Sequence, residues 1–440
     1  MMSIQARRVA VFAAILGLGL GLSVAAERAW VTHRDAASVS VYDTVTNALE
    51  TTVAVGTSPV DIASDQTDGF GPTRLFVANI GSDSVSVIGA DPVSVGATVT
   101  GGGSFGAFDA PSGVVRVQAG LLDPSIAVVD QKQTTVSGFP GPSTGRSTIR
   151  FIHPQTLAVV DGFREASPTA RYNDAVFTSN GRLWVADGGD GGVTVVRLPI
   201  NDPGPPFFMS QTLIYAGSGE FADFIYDSAA APTFLLAPAR LATNGSTRVV
   251  VADGGSDVVT ILDADYAADA ESTAVLANVD LGTGGSCADV EVVGNFAYVT
   301  TTVGGANLHR IDLTTFAVAS IASGAGRQGL GATFDGTKLY AGGGPLDASI
   351  QEVDISPAPT DFVLAGAPFV SGGGHSFGFY ISPANSSGSG GGGGGTTFVS
   401  TSTPWSGSND NAHVCGCLGL EILLALLAAR VVRRCIRGLR

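Results

Sequence analysis

Two glycine-rich clusters carry paired aspartates, Asp187-Gly188-Gly189-Asp190 and Asp253-Gly254-Gly255-Ser256-Asp257, and a third holds Asp83. An acidic insertion follows with Glu220, Asp223 and Asp227. Carboxylates that converge from such segments could supply the six to eight oxygens that Ca²⁺ takes, which makes Asp187, Asp190, Asp253 and Asp257 the candidate metal ligands. Aspartate and glycine are also the default turn formers, through side-chain capping and tolerance of positive φ. No full calcium-loop spacing is present, so turn chemistry is the preferred reading and no cofactor other than calcium is suggested.

The remaining reactive side chains are dispersed. His33, His153, His309, His375 and His413 fall in different segments, without the close pairs that mark zinc or haem. No nucleophile elbow, phosphate loop or dinucleotide fingerprint lies in a strand–helix context. Of four cysteines, Cys287 is alone in the body, so no disulfide framework holds the fold. Cys415 and Cys417 lie at the head of an apolar C-terminal run, where a thiol could be lipidated after cleavage.

The elements that must position these residues come from a repeat. RLWVADGGDGGVTVV (182–196) returns as RVVVADGGSDVVTILD (248–263) and as RLFVANIGSDSVSVI (74–88). In each, an apolar run stops at a polar, Gly-rich turn and a second run follows in strict alternation, as an antiparallel hairpin requires. One hairpin cannot bury its own apolar face, so the copies must stack. Seven first strands align on Val31, Val77, Val128, Val185, Val251, Val299 and Ala341, with spacings of 46, 51, 57, 66, 48 and 42. Four-stranded propeller blades take about 40–50 residues. In the third copy VVRVQAG, from Val114, competes with TIRFIH (148–153) as the second hairpin strand.

Each hairpin is followed by an outer strand such as TTVAVG (51–56), and preceded by a small-residue inner strand such as PVDIAS (59–64) or CADVEVVGN (287–295). The inner strands offer mainly Ala, Val, Gly and Phe, with isolated Asp61, Asp174, Arg240 and Asp289. The last of them, GHSFGFYISP (374–383), has no hairpin after it, while the first hairpin has no inner strand before it. The expectation is an all-β, seven-bladed β-propeller of four-stranded antiparallel blades, closed by pairing of the C-terminal strand with Trp30–His33.

WVTHRDAASVSVYDTVTNALETTVAVGTSPVDIA and LFVANIGSDSVSVIG resemble the YVTN-type β-propeller repeat of bacterial and archaeal surface proteins. The likeness is good over Ala29–Ile88, recognisable to Pro383, and departs at Asp187 and Asp253, where the pattern has Asn, and at Gly342 and Gly343. The resemblance implies the propeller architecture. That family spans surface proteins and a few enzymes, so it transfers no activity.

Outside the body, residues 1–26 read as a secretory signal: Arg7-Arg8, an apolar stretch, and Val24-Ala25-Ala26 before the cut. The propeller is expected over 27–384 and a Gly/Ser-rich linker over 385–413. A transmembrane sorting or anchor tail covers 414–440, with Arg433, Arg434 and Arg437 after the apolar run. The order of parts is similar to bacterial C-terminal sorting signals, which implies a sorting protease as partner and processing near Cys415 and Cys417. A plain membrane anchor is the alternative.

The net charge of −15 over 440 residues, with no basic run in the body, argues against nucleic acid. The leading expectation is an exported, envelope-anchored, non-enzymatic binding module for protein, glycan or another cell-envelope component. The rival is a propeller enzyme, a lactonase-like hydrolase or a quinoprotein-like dehydrogenase subunit, which would need a convergent polar set at the channel mouth.

Overall fold

The computed structural model describes residues 27–382 except 66–73, 103–105, 118–124, 132–146, 165–169, 190, 198–221, 226–237, 267–273, 304–306, 325–326, 334–335, 345–347, 357–361 and 372–375. The signal, linker and tail expected at either end lie outside these residues, as do Asp190, His375, His413, Cys415 and Cys417. No helix among the described residues is long and apolar enough to cross a membrane.

Seven antiparallel sheets follow one another around a ring. Their innermost strands, for blades 1 to 7, are Ser376–Ser382, Pro59–Ser64, Pro111–Val117, Tyr172–Phe177, Pro238–Thr243, Cys287–Val293 and Arg327–Ala332. Blade 1 is completed as expected by the C-terminal strand, with Arg28 opposite Ser382, Trp30 opposite Tyr380 and Val31 opposite Phe379. VVRV is the innermost strand of blade 3. Its hairpin joins Ser125–Asp130 to Thr148–Ile152 across a long connection. The acidic insertion carries the outer strand of blade 4, Ala222–Ile225, so Asp223 belongs to that blade's edge rather than to a loop before blade 5. In blade 7 the outer edge is split into Val363–Leu364 and Phe369–Val370.

Alternate side chains of a strand point to opposite faces of its sheet. In a propeller both faces meet a neighbouring blade. Trp184 and Ala186 therefore pack against Leu241, Val249 and Val251 of blade 5, while Leu183 and Val185 pack against Val115, Val129 and Phe151 of blade 3. Seven such clusters occupy the seven blade-to-blade interfaces. This double burial is why the second strands read as unbroken apolar runs.

The polar half of the third-strand alternation does not face water either. Ser40, Ser86, Arg150, Thr194, Thr260, His309 and Gln351 occupy one register position around the ring and all are buried. Burial without a partner costs more than the hydrogen bond is worth, and most of these positions recruit matching partners, although Thr194 Oγ1 has none among the described residues. Asn79 donates to Ser86 Oγ at 3.0 Å, and Thr260 Oγ1 donates to Asn278 Oδ1 at 2.8 Å. His309 contacts Thr301 Oγ1 at 3.2 Å and Ser320 Oγ at 2.8 Å. Burial holds the His309 pKa below its usual value, so the ring packs neutral.

Close packing of the innermost strands rests on glycine at particular places. A Cβ on Gly378 would lie 2.9 Å from the Asp61 Cα, and one on Gly113 would lie 2.8 Å from Val129 Cγ2 and 3.2 Å from the Asp174 Cα. Gly378→Ala is expected to lower the denaturation free energy by about 1–3 kcal/mol, because backbone cannot yield as a side chain can. Gly96→Ala, whose Cβ would have only the Val87 carbonyl at 3.8 Å, should stay within about 0.5 kcal/mol of the parent, and urea titration of the two variants measures both effects.

Candidate functional site in the central channel

Every innermost strand has a register shift at its start, such as that between Pro59 and Asp61 or between Cys287 and Asp289. A bulge re-aims the side chain that follows it. The residues just past the shift are Asp61, Gly113, Asp174, Arg240, Asp289 and Gly329 in blades 2 to 7, and in blade 1 Gly378 lies within it. Four residues that are isolated in sequence thus sit in one ring around the channel.

The three aspartates make the same contacts. One oxygen of Asp61 accepts the N–H of Ile62 at 2.8 Å and the other the N–H of Val114 in blade 3 at 2.8 Å. Asp174 accepts from Ala175 at 2.8 Å and from Leu241 in blade 5 at 2.8 Å. Asp289 accepts from Val290 at 2.9 Å and from Leu330 in blade 7 at 2.7 Å. The innermost strand has no sheet partner on its channel side, and an unpaired buried N–H is expensive. Each carboxylate satisfies two of these groups and joins two blades in doing so.

Arg240 is the cation of the ring. Its guanidinium lies 3.9 Å from Asp174 Oδ1, and it reaches across the channel to the Val60 carbonyl of blade 2 at 3.4 Å. Burial works against its charge, and the carboxylates of Asp174, Asp289 and Asp61 outweigh that, holding its pKa above the ordinary value. Burial raises the carboxyl pKa values against the pull of Arg240: Asp61 upward, Asp174 to about 8 and Asp289 to about 7. Repulsion by Asp61 adds to the rise at Asp174 and Asp289. Asp289 and Arg240 remain only half-buried, so channel water softens these effects.

The bonds of Asp83 and Asp257 put the second-to-third-strand turns and the blade-to-blade loops on one face. Asp83 Oδ1 accepts the N–H of Ala110 at 2.9 Å, and Asp257 Oδ2 accepts the N–H of Gly284 at 2.7 Å. Asp187 accepts from Arg171 at 2.8 Å and Gly189 at 3.0 Å, and Asp253 from Gly255 at 2.7 Å. Asp187 lies in blade 4, whereas Asp253 and Asp257 lie in blade 5. Among the described residues no group of three or more His, Cys, Asp or Glu side chains is disposed to hold a metal ion. Cys287 is buried and its thiol is pushed up to about 12 by burial, which makes it a poor nucleophile.

A second buried charge pair escaped the sequence reading. Arg150 and Asp130 in blade 3 are fully buried and paired, with Arg150 Nε donating to Asp130 Oδ2 at 3.1 Å and Thr148 Oγ1 donating to the same oxygen at 3.0 Å. Arg150 also donates to the carbonyls of Gly106 at 2.7 Å and Ala107 at 2.9 Å and lies 4.2 Å from the Phe108 ring centre. It therefore ties blade 3 to the segment arriving from blade 2. Asp130 occupies the register of Asn79, and Arg150 that of Ser86, so a neutral pair in one blade becomes an ion pair in the next.

The chain is a seven-bladed β-propeller. No family model matches it, and no curated protein does. Solved structures share the fold. A periplasmic gluconolactonase from Pseudomonas aeruginosa is 15% identical over 81% of this chain and 99% of its own, with a TM-score of 0.56. A candidate 6-phosphogluconolactonase from Bacteroides fragilis is 11% identical over 82% and 99%, with a TM-score of 0.59. A functionally unknown protein from Desulfotomaculum acetoxidans is 13% identical over 80% and 98%, with a TM-score of 0.52. At these identities the likeness is one of fold.

Proposed function

We propose that this protein is an exported propeller, held to the cell envelope by its C-terminal tail, that acts as a non-enzymatic binding module. Its turn-bearing face would engage protein, glycan or another envelope component. The observation that carries the reading is where the chain enters and leaves the ring. Arg28 and Ser382 are paired neighbours, and Ser382 Oγ donates to the Arg28 carbonyl at 3.2 Å. They lie at the end of blade 1 opposite to the His33–Ser38 turn. Segments attached at both ends thus emerge on one face, and the channel mouth with its aspartate-held turns lies on the other. A tether on the first face leaves the second free for a partner.

The reading takes residues 1–26 as a removed signal, 385–413 as a flexible spacer and 414–440 as the tail, processed near Cys415 and Cys417. The YVTN-type resemblance to surface proteins supports it. Asp187, Asp253 and Asp257 serve it as turn-holding groups rather than calcium ligands. The six channel carboxylate oxygens each accept a backbone N–H, so the three aspartates already serve to hold blade to blade.

A lactonase-like hydrolase is the second reading. It is favoured by the convergence of Asp61, Asp174 and Asp289 on Arg240 and by the fold shared with a gluconolactonase. Two measurements separate the readings. Fractionated native cells should hold the protein in the envelope, and purified protein should rebind saturably to stripped envelopes without hydrolysing gluconolactone above the uncatalysed rate. Cytoplasmic recovery would sink the first reading. Lactone hydrolysis abolished by Arg240→Ala would establish the second.

A further inference from the structure

The outer strands form the rim of the ring, and each turns every second backbone N–H and C=O away from its sheet. Proteins blunt such edges with charge, shortness, bulges or proline. Blade 3 places Asp161 and Arg164 in its outer strand Val159–Arg164, and blade 5 ends Val275–Asp280 on a charge. In blades 4 and 6 the outer strands Ala222–Ile225 and Val318–Ile321 have only four residues each. Blade 7 is interrupted at Gly366, where φ is +70°, and at Pro368.

Blade 1 differs. Its outer strand Leu49–Ala54 has one bulge and one charge, both at Glu50. Arg28, two strands away, holds that carboxylate back over the blade at 2.8 Å. The rim is left with Thr51, Thr52, Val53 and Ala54. At the end of the blade where the chain leaves the ring, Leu49 is 49% exposed and Val45 71% exposed.

The chain beyond that exit carries a matching stretch. Residues 383–395 are rich in Gly and Ser, and TTFVSTST (396–403) follows, uncharged, rich in strand-favouring residues and stopped by Pro404. Ser382, Arg28 and Asp43 lie level in adjoining strands. A fifth strand on Leu49–Ala54 would therefore begin about 19 Å from Ser382, four strand spacings away. A flexible connection of thirteen residues, 383–395, has a root-mean-square span of about 18–22 Å. Local concentration is greatest where span and reach match.

We propose that residues 396–403 dock on blade 1 as a fifth strand, parallel to Leu49–Ala54, with Phe398 laid toward Leu49 and Val45. The parallel direction follows from the path: the segment arrives at the Leu49 end of the blade, the end that holds Ser382. This inference goes beyond the binding-module reading and does not rest on it. Docking leaves 404–413 as the free part of the spacer and fixes which blade lies next to the tail.

The test is amide hydrogen exchange on the full chain at two protein concentrations. Amides of 397–402 should exchange about tenfold or more slowly than those of an unstructured chain, at either concentration. Consecutive N–H groups of a strand point to opposite sides, so Val399→Pro with Ser400→Pro removes a ladder donor in either register and leaves the ring untouched. The double variant should release the segment and quicken the outward amides of Leu49–Ala54 about tenfold. Val93–Val99, the uncharged outer strand of blade 2, is the control and should not change. Exchange of 397–402 at the unstructured rate overturns the proposal. So does protection that dilution removes, which would assign the contact to a second copy. A double variant that leaves Leu49–Ala54 unchanged overturns it as well.

Discussion

A chain that ends at Ser371 is expected to lose its cooperative unfolding transition. The missing strand, Ser376–Ser382, pairs with Arg28–His33 and packs against the innermost strands of blades 2 and 7. With it go Phe379 and Tyr380, which belong to the two cores flanking blade 1. Each buried aromatic contributes about 1.5–3 kcal/mol, and the total stability of a folded domain is only about 5–15 kcal/mol. The loss also exposes the edge of Arg28–His33 in an open ring, which invites association between chains. Thermal melts and light scattering would read both effects, and a synthetic peptide spanning residues 372–384 should restore part of the transition. A truncated chain that melts like the parent would show that the ring does not depend on this closure.

The second large effect is expected at Arg150. Replacing it with alanine leaves the Asp130 carboxylate buried without its cation and strips donors from the carbonyls of Gly106 and Ala107. Breaking such a pair from one side costs about 3–5 kcal/mol. Removing both charges together is a different experiment. Asp130→Asn with Arg150→Ser recreates the Asn–Ser pairing of blade 2, where Asn79 donates to Ser86 Oγ, and should recover much of the loss. Urea titration of the two single variants and the double variant measures the coupling. Additive effects would mean that the ion pair holds nothing beyond what each residue contributes alone.

The hairpins, their sevenfold recurrence and the closing strand were all legible in the sequence. They depend on local rules: a polar turn between two short apolar runs, and one unpaired strand left at each end. The choice between VVRV and TIRFI as the partner of SIAVVD was not legible. Both are apolar, of similar length and β-branched, and only the pairing of Val128 with Arg150 on one side and Val114 on the other separates them. A local signal for the channel residues existed. Asp174 and Arg240 each lie eleven residues before the aligned valine of their hairpin, Val185 and Val251, and Asp289 lies ten before Val299. Similar offsets in a stacked repeat place these three side chains in one layer, whereas Asp61, sixteen residues before Val77, carried no such signal.

What the sequence by itself determined, then, is the unit and its multiplicity, because strand, turn and alternation are set by neighbours a few residues apart. Tertiary structure decided the rest. The alternating polar residues of the third strands look solvent-facing in any single hairpin, and they are buried because each blade is covered on both sides. Asp61, Asp174 and Asp289 look unrelated along the chain. They become one electrostatic unit only when the ring closes and Arg240 spans from blade 5 to Val60 in blade 2, a contact between residues 180 positions apart. Charges interact through space with an energy set by distance and surroundings, and neither quantity exists until the blades are assembled.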